Sequence, residues 1–471
     1  MSLLELSKKY GKDEYRLLKE NPTIENLNFF SALGLGATEW IDIEGKILFL
    51  GSQIAVLDDL CKKAELDIYE EITERLESVR IVFGNNISYI TDFDSINFEE
   101  YSVIIAYGSA MVLKLMTKNK PNVKTVLVFD NKYGMNYLAG EKADEQPLNI
   151  KDVRAWMGSA SDTYYPYPNY RYVYKLFSDK EMPSEGELSQ LKAYGYPVFA
   201  SKDMGERYAQ IIKSGDFDSF SNSYIVISQG NEKNIYIKYN RTRLPKYQLK
   251  TEIRQGDEGK YVVKSALTQD GCAHIKNMLS KAGLIKSENI SVLAGKSYKE
   301  GEVIFPFIKG KSVSTLCAKM PENDVNRFIY NVKEWLLKII DKDAMNLDAI
   351  FDNFIMTEGS LIAIDYEWIF DESMDFVEDR ESFIKYRALH SFYQNNADKI
   401  QNKFALTESD FMSKFGIDDI DGMDFIERRF QDYIHGDYQE VYLDNYFVET
   451  VSHETLNEGL VALAELPHAK N

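Results

Sequence analysis

The sequence predicts an α/β domain of Rossmann-like type followed by an α+β bilobal domain, on three observations. Short apolar runs alternate with helix-spaced stretches through the first half. Past a Gly/Ser/Asp-rich segment, Ser214-Gly-Asp-Phe-Asp-Ser-Phe-Ser-Asn-Ser223, strand-like runs separated by turn residues take over. From Asn323 onward helical spacing dominates. At 471 residues the chain is about three times the usual domain size, which fits two or three domains.

Taken in order, Lys46–Gly51, Val79–Phe83, Tyr101–Ala106 and Val123–Phe129 read as strands, with a helix over Ile54–Glu77. Strand–helix–strand alternation indicates a mostly parallel sheet covered by helices on both faces. Tyr224–Ser228, Ile235–Tyr239, Tyr247–Ile253 and Tyr261–Val263 are separated by GNEKN, NRTRLPK and RQGDEG, the pattern of an antiparallel meander. A helix over Thr268–Ala282, a strand at Glu302–Ile308 and a helical remainder complete the layout of a kinase-like bilobal domain. The domains expected are therefore 1–213, a small lobe over 214–310 and a helical lobe over 311–471.

Composition narrows the function classes. With 44% hydrophobic and 27% charged residues the chain is a folded one. The net charge of −19 argues against a nucleic-acid binder or a globally basic membrane binder. Residues 364–471 hold 24 acidic and 9 basic side chains, so most of that charge belongs to the C-terminal quarter. Cys61, Cys272 and Cys317 are far apart, which suggests neither disulfides nor zinc. The charged N-terminus lacks the apolar stretch of a signal peptide, and no later window approaches a membrane span. A cytoplasmic protein is expected, not an integral membrane one; peripheral attachment at an inner membrane through partners stays open.

The sharpest chemical pattern is Asn346-Leu-Asp348-Ala-Ile-Phe-Asp-Asn353, followed by Leu361-Ile-Ala-Ile-Asp365-Tyr-Glu-Trp368. Phosphoryl transfer needs a carboxylate at the attacking hydroxyl and oxygen ligands holding Mg²⁺ against the phosphates. Asp348 fits the first role, and Asn353 and Asp365 the second. A hairpin turning at Glu358-Gly359 would carry Asp365 back beside Asn353. Lys264, in Tyr261-Val-Val-Lys-Ser-Ala, is expected to hold the α/β-phosphates, with Lys238 a competitor. The bland alternatives are a chance D-x4-N, an ordinary strand end and an exposed strand lysine. Three features depart from the kinase pattern: no G-x-G-x-x-G, Asn346 in place of His two before Asp348, and no Glu within the helix after Lys264, where only Gln269 and Asp270 are near. His274 and His390 read as helix residues with one hydrogen bond each, and no Ser/His/Asp or Cys/His constellation is evident.

In the first half, methyl transfer from S-adenosylmethionine would need a glycine-rich first turn and an acidic residue ending the second strand. Leu48-Phe-Leu-Gly51-Ser-Gln-Ile-Ala offers one glycine, a poor cradle, and Gly34-Leu-Gly36 reads as a loop. Glu70 either ends a second strand or lies on a helix surface.

Val128-Phe-Asp-Asn131-Lys-Tyr-Gly134-Met-Asn-Tyr137-Leu-Ala-Gly140 resembles the A-I-E-N-R-x-G-x-K-Y-x-x-G segment of bacterial SAM-dependent methyltransferase-like proteins associated with glycosyltransferases in surface-polysaccharide synthesis. Tyr164-Tyr-Pro-Tyr-Pro-Asn-Tyr170 with Phe177-Ser-Asp179 looks like that family's Y-Y-P-Y-P-D-Y and Y-S-D-E. Weaker matches follow at Phe220–Ser223, Lys238–Arg243, Lys250–Ile253, Lys264–Leu267, His274, Asp348–Asn353 and Asp365–Trp368. The arrangement is similar to dual kinase–methyltransferases that cap polysaccharide chains. The resemblance implies a class I methyltransferase-like domain, a kinase-like domain, Mg-ATP and S-adenosylmethionine as cofactors, and a glycan or lipid-linked sugar as substrate. Because the turn at Gly51 departs from the family, the first domain is expected to keep the fold without methyl transfer. The Tyr164–Tyr170 rings are expected to pack at a domain seam rather than stack on sugars. The rival readings are a non-catalytic scaffold for glycosyltransferases and a working methyltransferase with an unusual cofactor turn.

Overall fold

The computed structural model describes residues 35–138, 145–184, 187–188, 204–229, 232–285, 290–318, 324–340, 345–358 and 360–436. Gly34, Gly140, Gly359 and residues 437–471 of the acidic C-terminus lie outside them. Two compact units meet between Tyr239 and Asn240.

The first unit is built on β1 (Ile47–Leu50), β2 (Leu66–Tyr69), β3 (Ser88–Ile90), β4 (Val103–Tyr107), β5 (Lys124–Asp130), β6 (Ser161–Asn169), β7 (Tyr172–Ser178), β8 (Ser223–Ser228) and β9 (Asn234–Tyr239). Their order is β9-β7-β6-β8-β5-β4-β1-β2-β3. β1 to β5 pair in parallel in the doubly wound order 3-2-1-4-5. β8 joins β5 antiparallel and the β6–β7 hairpin extends the sheet. All residues of β1 and β2 are buried, as central strands covered on both faces require. The mixed sheet with helices makes this unit α/β.

Three expectations fail here. Val79–Phe83 is the second half of the helix Thr73–Phe83, not a strand. Val79 and Phe83, four apart, face the core while Ile81 between them is 58% exposed. The helix expected over Ile54–Glu77 is the shorter Ile54–Cys61, followed by β2. An apolar run of five residues fits either period, and the second strand is Leu66–Tyr69, one of the two readings open at Glu70, with a charged Asp67 inside it. That carboxylate is buried, accepting from Tyr101 Oη at 2.8 Å and pairing with Lys46 at 2.9 Å. The strands at 223–228 and 234–239, expected to open the second domain, pair with β5, β6 and β7 of the first unit. The contact division therefore falls at residue 239 rather than near 214.

The Tyr164–Tyr170 stretch is β6 and its exit, and its rings are packing residues of this unit's interior. Tyr164 lies against Trp40, Tyr165 against Phe217 and Tyr224, and Tyr167 against Tyr208, all buried.

The second unit begins with β10 (Leu249–Gly256), β11 (Gly259–Ala266), β13 (Lys296–Lys299) and β14 (Glu302–Pro306), an antiparallel sheet ordered β13-β14-β11-β10. The helix Gly271–Lys281 follows β11 and buries Gly271, His274, Ile275 and Met278, one face at helical spacing. A second sheet, β12 (Ile290–Val292), β17 (Leu361–Ala363), β16 (Phe354–Met356) and β15 (Lys311–Ser312), is ordered β12-β17-β16-β15. Gly310 leads into it; a Cβ there would meet Met356 O at 2.7 Å, so only glycine lets the chain pass. Helices Val325–Ile339, Arg380–Phe404, Glu408–Ser413 and Ile420–His435 supply the helical part. The first is amphipathic, burying Phe328, Val332, Leu336 and Ile339, and Asp324 caps its start through the Asn326 and Arg327 amides. Two largely antiparallel sheets together with these helices make this unit α+β. Among the described residues no helix is long and apolar enough to cross a membrane.

Candidate functional site

The β16–β17 hairpin positions the first group. Phe354 pairs with Ala363, and Ile364 N donates to Asn353 O at 2.9 Å, so Asn353 and Asp365 sit side by side at the open end, as expected. Asn353 Nδ2 donates to Asp348 O at 3.0 Å, and Asp348 N to Asn346 Oδ1 at 3.0 Å, which folds the Asn346–Asn353 loop onto the same end. Asn346, where the kinase pattern has His, thus braces the loop.

Lys264 enters from β11, the strand flanked by β10 and β14. Its Nζ lies 2.7 Å from Asp365 Oδ1 and 2.7 Å from Glu367 Oε1. Glu367 Oε2 in turn takes Arg243 Nη1 at 2.5 Å. Lys264 and Glu367 side chains are only 5% and 3% exposed, so this pair is buried. Burial works to neutralise Lys264, but Asp365 and Glu367 hold its pKa above the ordinary lysine value. Burial would raise the Glu367 carboxyl, yet Lys264 and Arg243 hold it well below the usual carboxylate range. Lys238, the competitor, lies on β9 of the first unit opposite Lys175.

Glu367 was not singled out from sequence. The sequence offers Gln269 and Asp270 as partners of Lys264, but the structure provides one two residues after Asp365. An i, i+2 pair of acids is the spacing that puts both on one side of an extended chain, and that was the available signal.

Asp348 completes the group. Burial, with the Asp365 charge adding to it, pushes its carboxyl up to about 6, against the nearby Arg387. Arg387 Nη1 is 3.6 Å from Asp348 Oδ1, donates to Leu347 O, and its Nε pairs with Glu427 at 3.0 Å. Asn353 Oδ1 and Asp365 Oδ2 accept no hydrogen bond from the described residues. An amide oxygen and a carboxylate oxygen, beside a second carboxylate destabilised by like charge, form a donor set that suits Mg²⁺ shared with phosphate oxygens. Among the described residues no three His, Cys, Asp or Glu side chains cluster as a self-sufficient metal cage.

The corresponding edge of the first unit is arranged differently. Glu70 directly follows β2, and it is buried. Its Oε1 accepts from Ile72 N at 2.9 Å, turning the carboxylate back onto its own chain. Gly51 follows β1 at φ +132°, and a Cβ there would meet Tyr107 O at 3.1 Å. The space that glycine leaves is therefore filled by the protein. Glu145 caps the helix Ser109–Met116 through Ala110 N at 3.0 Å, and Asp130 at the end of β5 is held bidentately by Arg171 at 3.0 and 2.6 Å. Glu70 Oε1, Glu145 and Asp130 are thus engaged within the protein, whereas Glu70 Oε2 accepts no hydrogen bond from the described residues.

The segments that carry the family resemblance brace this unit. Asn131 Nδ2 donates to Ser219 O and Ser221 O at 2.9 and 2.7 Å. Asn222 accepts from Asn136 N at 2.9 Å and donates to Pro168 O at 2.8 Å, and Ser223 Oγ accepts from Tyr170 N at 2.9 Å. Of the two histidines, His390 pairs with Glu408 at 2.6 Å as a helix residue should, whereas His274 leaves its Nε2 buried without a partner.

No family model and no curated protein matches the chain. Solved structures that it resembles include WbdD, described as a bifunctional kinase-methyltransferase, at 11% identity over 91% of this chain and 99% of that one, with a TM-score of 0.24 for its 2.2 Å structure. The DhpI-SAM-HEP complex is 11% identical over 48% of this chain and 97% of that one, TM-score 0.21. The ADP-bound aminoglycoside phosphotransferase APH(2'')-Ib is 13% identical over 46% and 88%, TM-score 0.21. Likenesses of this size carry no argument about fold or chemistry, which rest on the chain's own topology and geometry.

Proposed function

We propose that the second unit is a kinase-like domain that binds Mg-ATP and transfers a phosphoryl group to a hydroxyl of a glycan or lipid-linked sugar. The first unit, on this reading, is a methyltransferase-like fold without methyl transfer. The observation that carries the proposal is the buried contact of Lys264 with Asp365 and Glu367, beside Asn353 and Asp348. Mg-ATP supplies the phosphoryl group and the charge neutralisation. Asn353 and Asp365 would hold the ion. Lys264, fixed by Glu367, would hold the α/β-phosphates. Asp348, with its carboxyl raised to about 6, is ionised at neutral pH yet basic enough to take the acceptor hydroxyl's proton. Arg387 beside it keeps the carboxylate in place. The acceptor class rests on the resemblance of the Asn131–Gly140 and Tyr164–Tyr170 segments.

Transfer of radiolabel from γ-labelled ATP with Mg²⁺ to an extract of lipid-linked glycans tests this. Wild type should label the extract, and Asp348→Asn should still bind nucleotide while transfer falls by about 10²- to 10⁴-fold. Nucleotide binding with no transfer by wild type to any hydroxyl acceptor would favour the scaffold.

A further inference from the structure

Within the second unit, the backbone of Asp348 is fixed and its carboxylate is nearly bare. Asn346 and Asn353 engage its N–H and C=O, and among the described residues no group donates a hydrogen bond to its side chain. The cation beside it is Arg387, whose Nη1 lies 3.6 Å from Oδ1, beyond the range of a hydrogen bond. Both side chains are sheltered, Arg387 at 14% and Asp348 at 13% exposure. A guanidinium and a carboxylate so placed ordinarily close to a direct pair, often a bidentate one, so the gap needs a cause.

The helix Ile420–His435 supplies it. Asp419 caps its first turn through Gly422 N at 2.9 Å, and Glu427, Phe430 and Gln431, at i, i+3 and i+4, share one face. Glu427 Oε2 takes Arg387 Nε at 3.0 Å, while its Oε1 accepts from Gln431 Nε2 at 2.7 Å. The fully buried Phe430 ring lies 4.6 Å from the guanidinium. Because a guanidinium is flat and rigid, holding its Nε and its plane fixes where Nη1 points, here to Leu347 O. Two carboxylates thus compete for one cation. Glu427 has it at 3.0 Å and Asp348 at 3.6 Å.

We propose that Glu427 is a positioning residue: by holding Arg387 it keeps the positive charge beside Asp348 while preventing a direct guanidinium–carboxylate pair, which leaves the Asp348 carboxylate free to accept the hydrogen bond of the acceptor hydroxyl. This rests on the reading of Asp348 as the base of a phosphoryl transfer. Glu427 has no part in that step itself and acts through Arg387. Its charge is what matters, since an uncharged side chain of the same shape would make Asp348 the stronger attractor of the guanidinium.

Crystal structures and transfer kinetics of the full chain carrying Glu427→Gln test this together, with Glu427→Asp as the variant that keeps the charge and Arg387→Met as the background that removes the cation. In Glu427→Gln the guanidinium should close on Asp348 to about 3 Å, kcat should fall about tenfold to a hundredfold, and KM for Mg-ATP should stay within about twofold. Glu427→Asp should recover most of kcat, and Glu427→Gln should add no further loss in the Arg387→Met background, as residues acting through one another require. If wild type transfers no phosphoryl group while Arg387 closes on Asp348 in the variant, the kinase reading fails and the restraint of Arg387 by Glu427 stands, because the crystal structure decides it without turnover. The proposal is overturned if Arg387 keeps its distance from Asp348 in folded Glu427→Gln, if an active enzyme loses no kcat or loses kcat and affinity for Mg-ATP together, or if the loss persists in the Arg387→Met background.

Discussion

The two units present acidic residues at strand ends in opposite ways. In the first, Glu70 accepts from its own backbone, Asp130 is clamped by Arg171, and the gap at Gly51 is closed by Tyr107. In the second, Asp365 keeps an unused oxygen, Asp348 is raised to about 6, and Lys264 is held between two carboxylates. Internal satisfaction favours stability, whereas unsatisfied acceptors and like charges held together cost stability and are what a ligand can relieve. On the proposed reading, this difference separates a unit that has lost its site from one that keeps a site for Mg-ATP.

The largest effect should come from Glu367→Ala, which strips a buried partner from both Lys264 and Arg243. Loss of about 3–5 kcal/mol in urea unfolding is expected, the range for breaking a buried pair. A loss under about 1 kcal/mol would mean that the pair is solvated, by the standard of exposed ion pairs.

Asp348→Asn should move stability the other way. Because the folded carboxyl titrates near 6 rather than 3.8, the unfolded chain gives up its proton first, and wild type loses stability as pH rises from about 4 to about 6. The variant should therefore gain about 3 kcal/mol at pH 7, with the gain vanishing below about pH 4. Unfolding at the two pH values checks it, and equal stability at pH 7 would remove the prepared-site argument for this residue.

Gly51→Ala should destabilise by about 1–3 kcal/mol, from a side chain at positive φ against Tyr107 O. The response to Mg-ATP should be unchanged. Smallest is Glu70→Gln, expected to cost about 1 kcal/mol through a weakened bond from Ile72 N. An effect of either variant on nucleotide binding, read by calorimetry, would blur the contrast between the units.

Much of the second site was legible because its geometry is local. Asp348, Asn353 and Asp365 are fixed by one short loop and one hairpin, so spacing alone brought them together. Glu367 was missed because its partner lies 103 residues away on another sheet, and pairing across that distance leaves no periodic trace. The same reason hid the partners of β8 and β9: alternation shows that 223–228 and 234–239 are strands but not which sheet receives them. Val79–Phe83 failed for a different cause, an apolar run too short for its period to tell helix from strand. At Glu70 the strand end was one of two open readings, and only burial decided between them.

Thermal unfolding of wild type and Asp365→Ala with Mg-ATP or with S-adenosylmethionine decides whether the second unit binds nucleotide through Asp365. Asp365→Ala leaves the Lys264–Glu367 pair in place, so the variant should fold. Mg-ATP at 100 times its dissociation constant should stabilise wild type by about 2.7 kcal/mol and leave the variant unmoved, while S-adenosylmethionine shifts neither. A shift with S-adenosylmethionine, or an Mg-ATP shift that survives Asp365→Ala, would contradict the account.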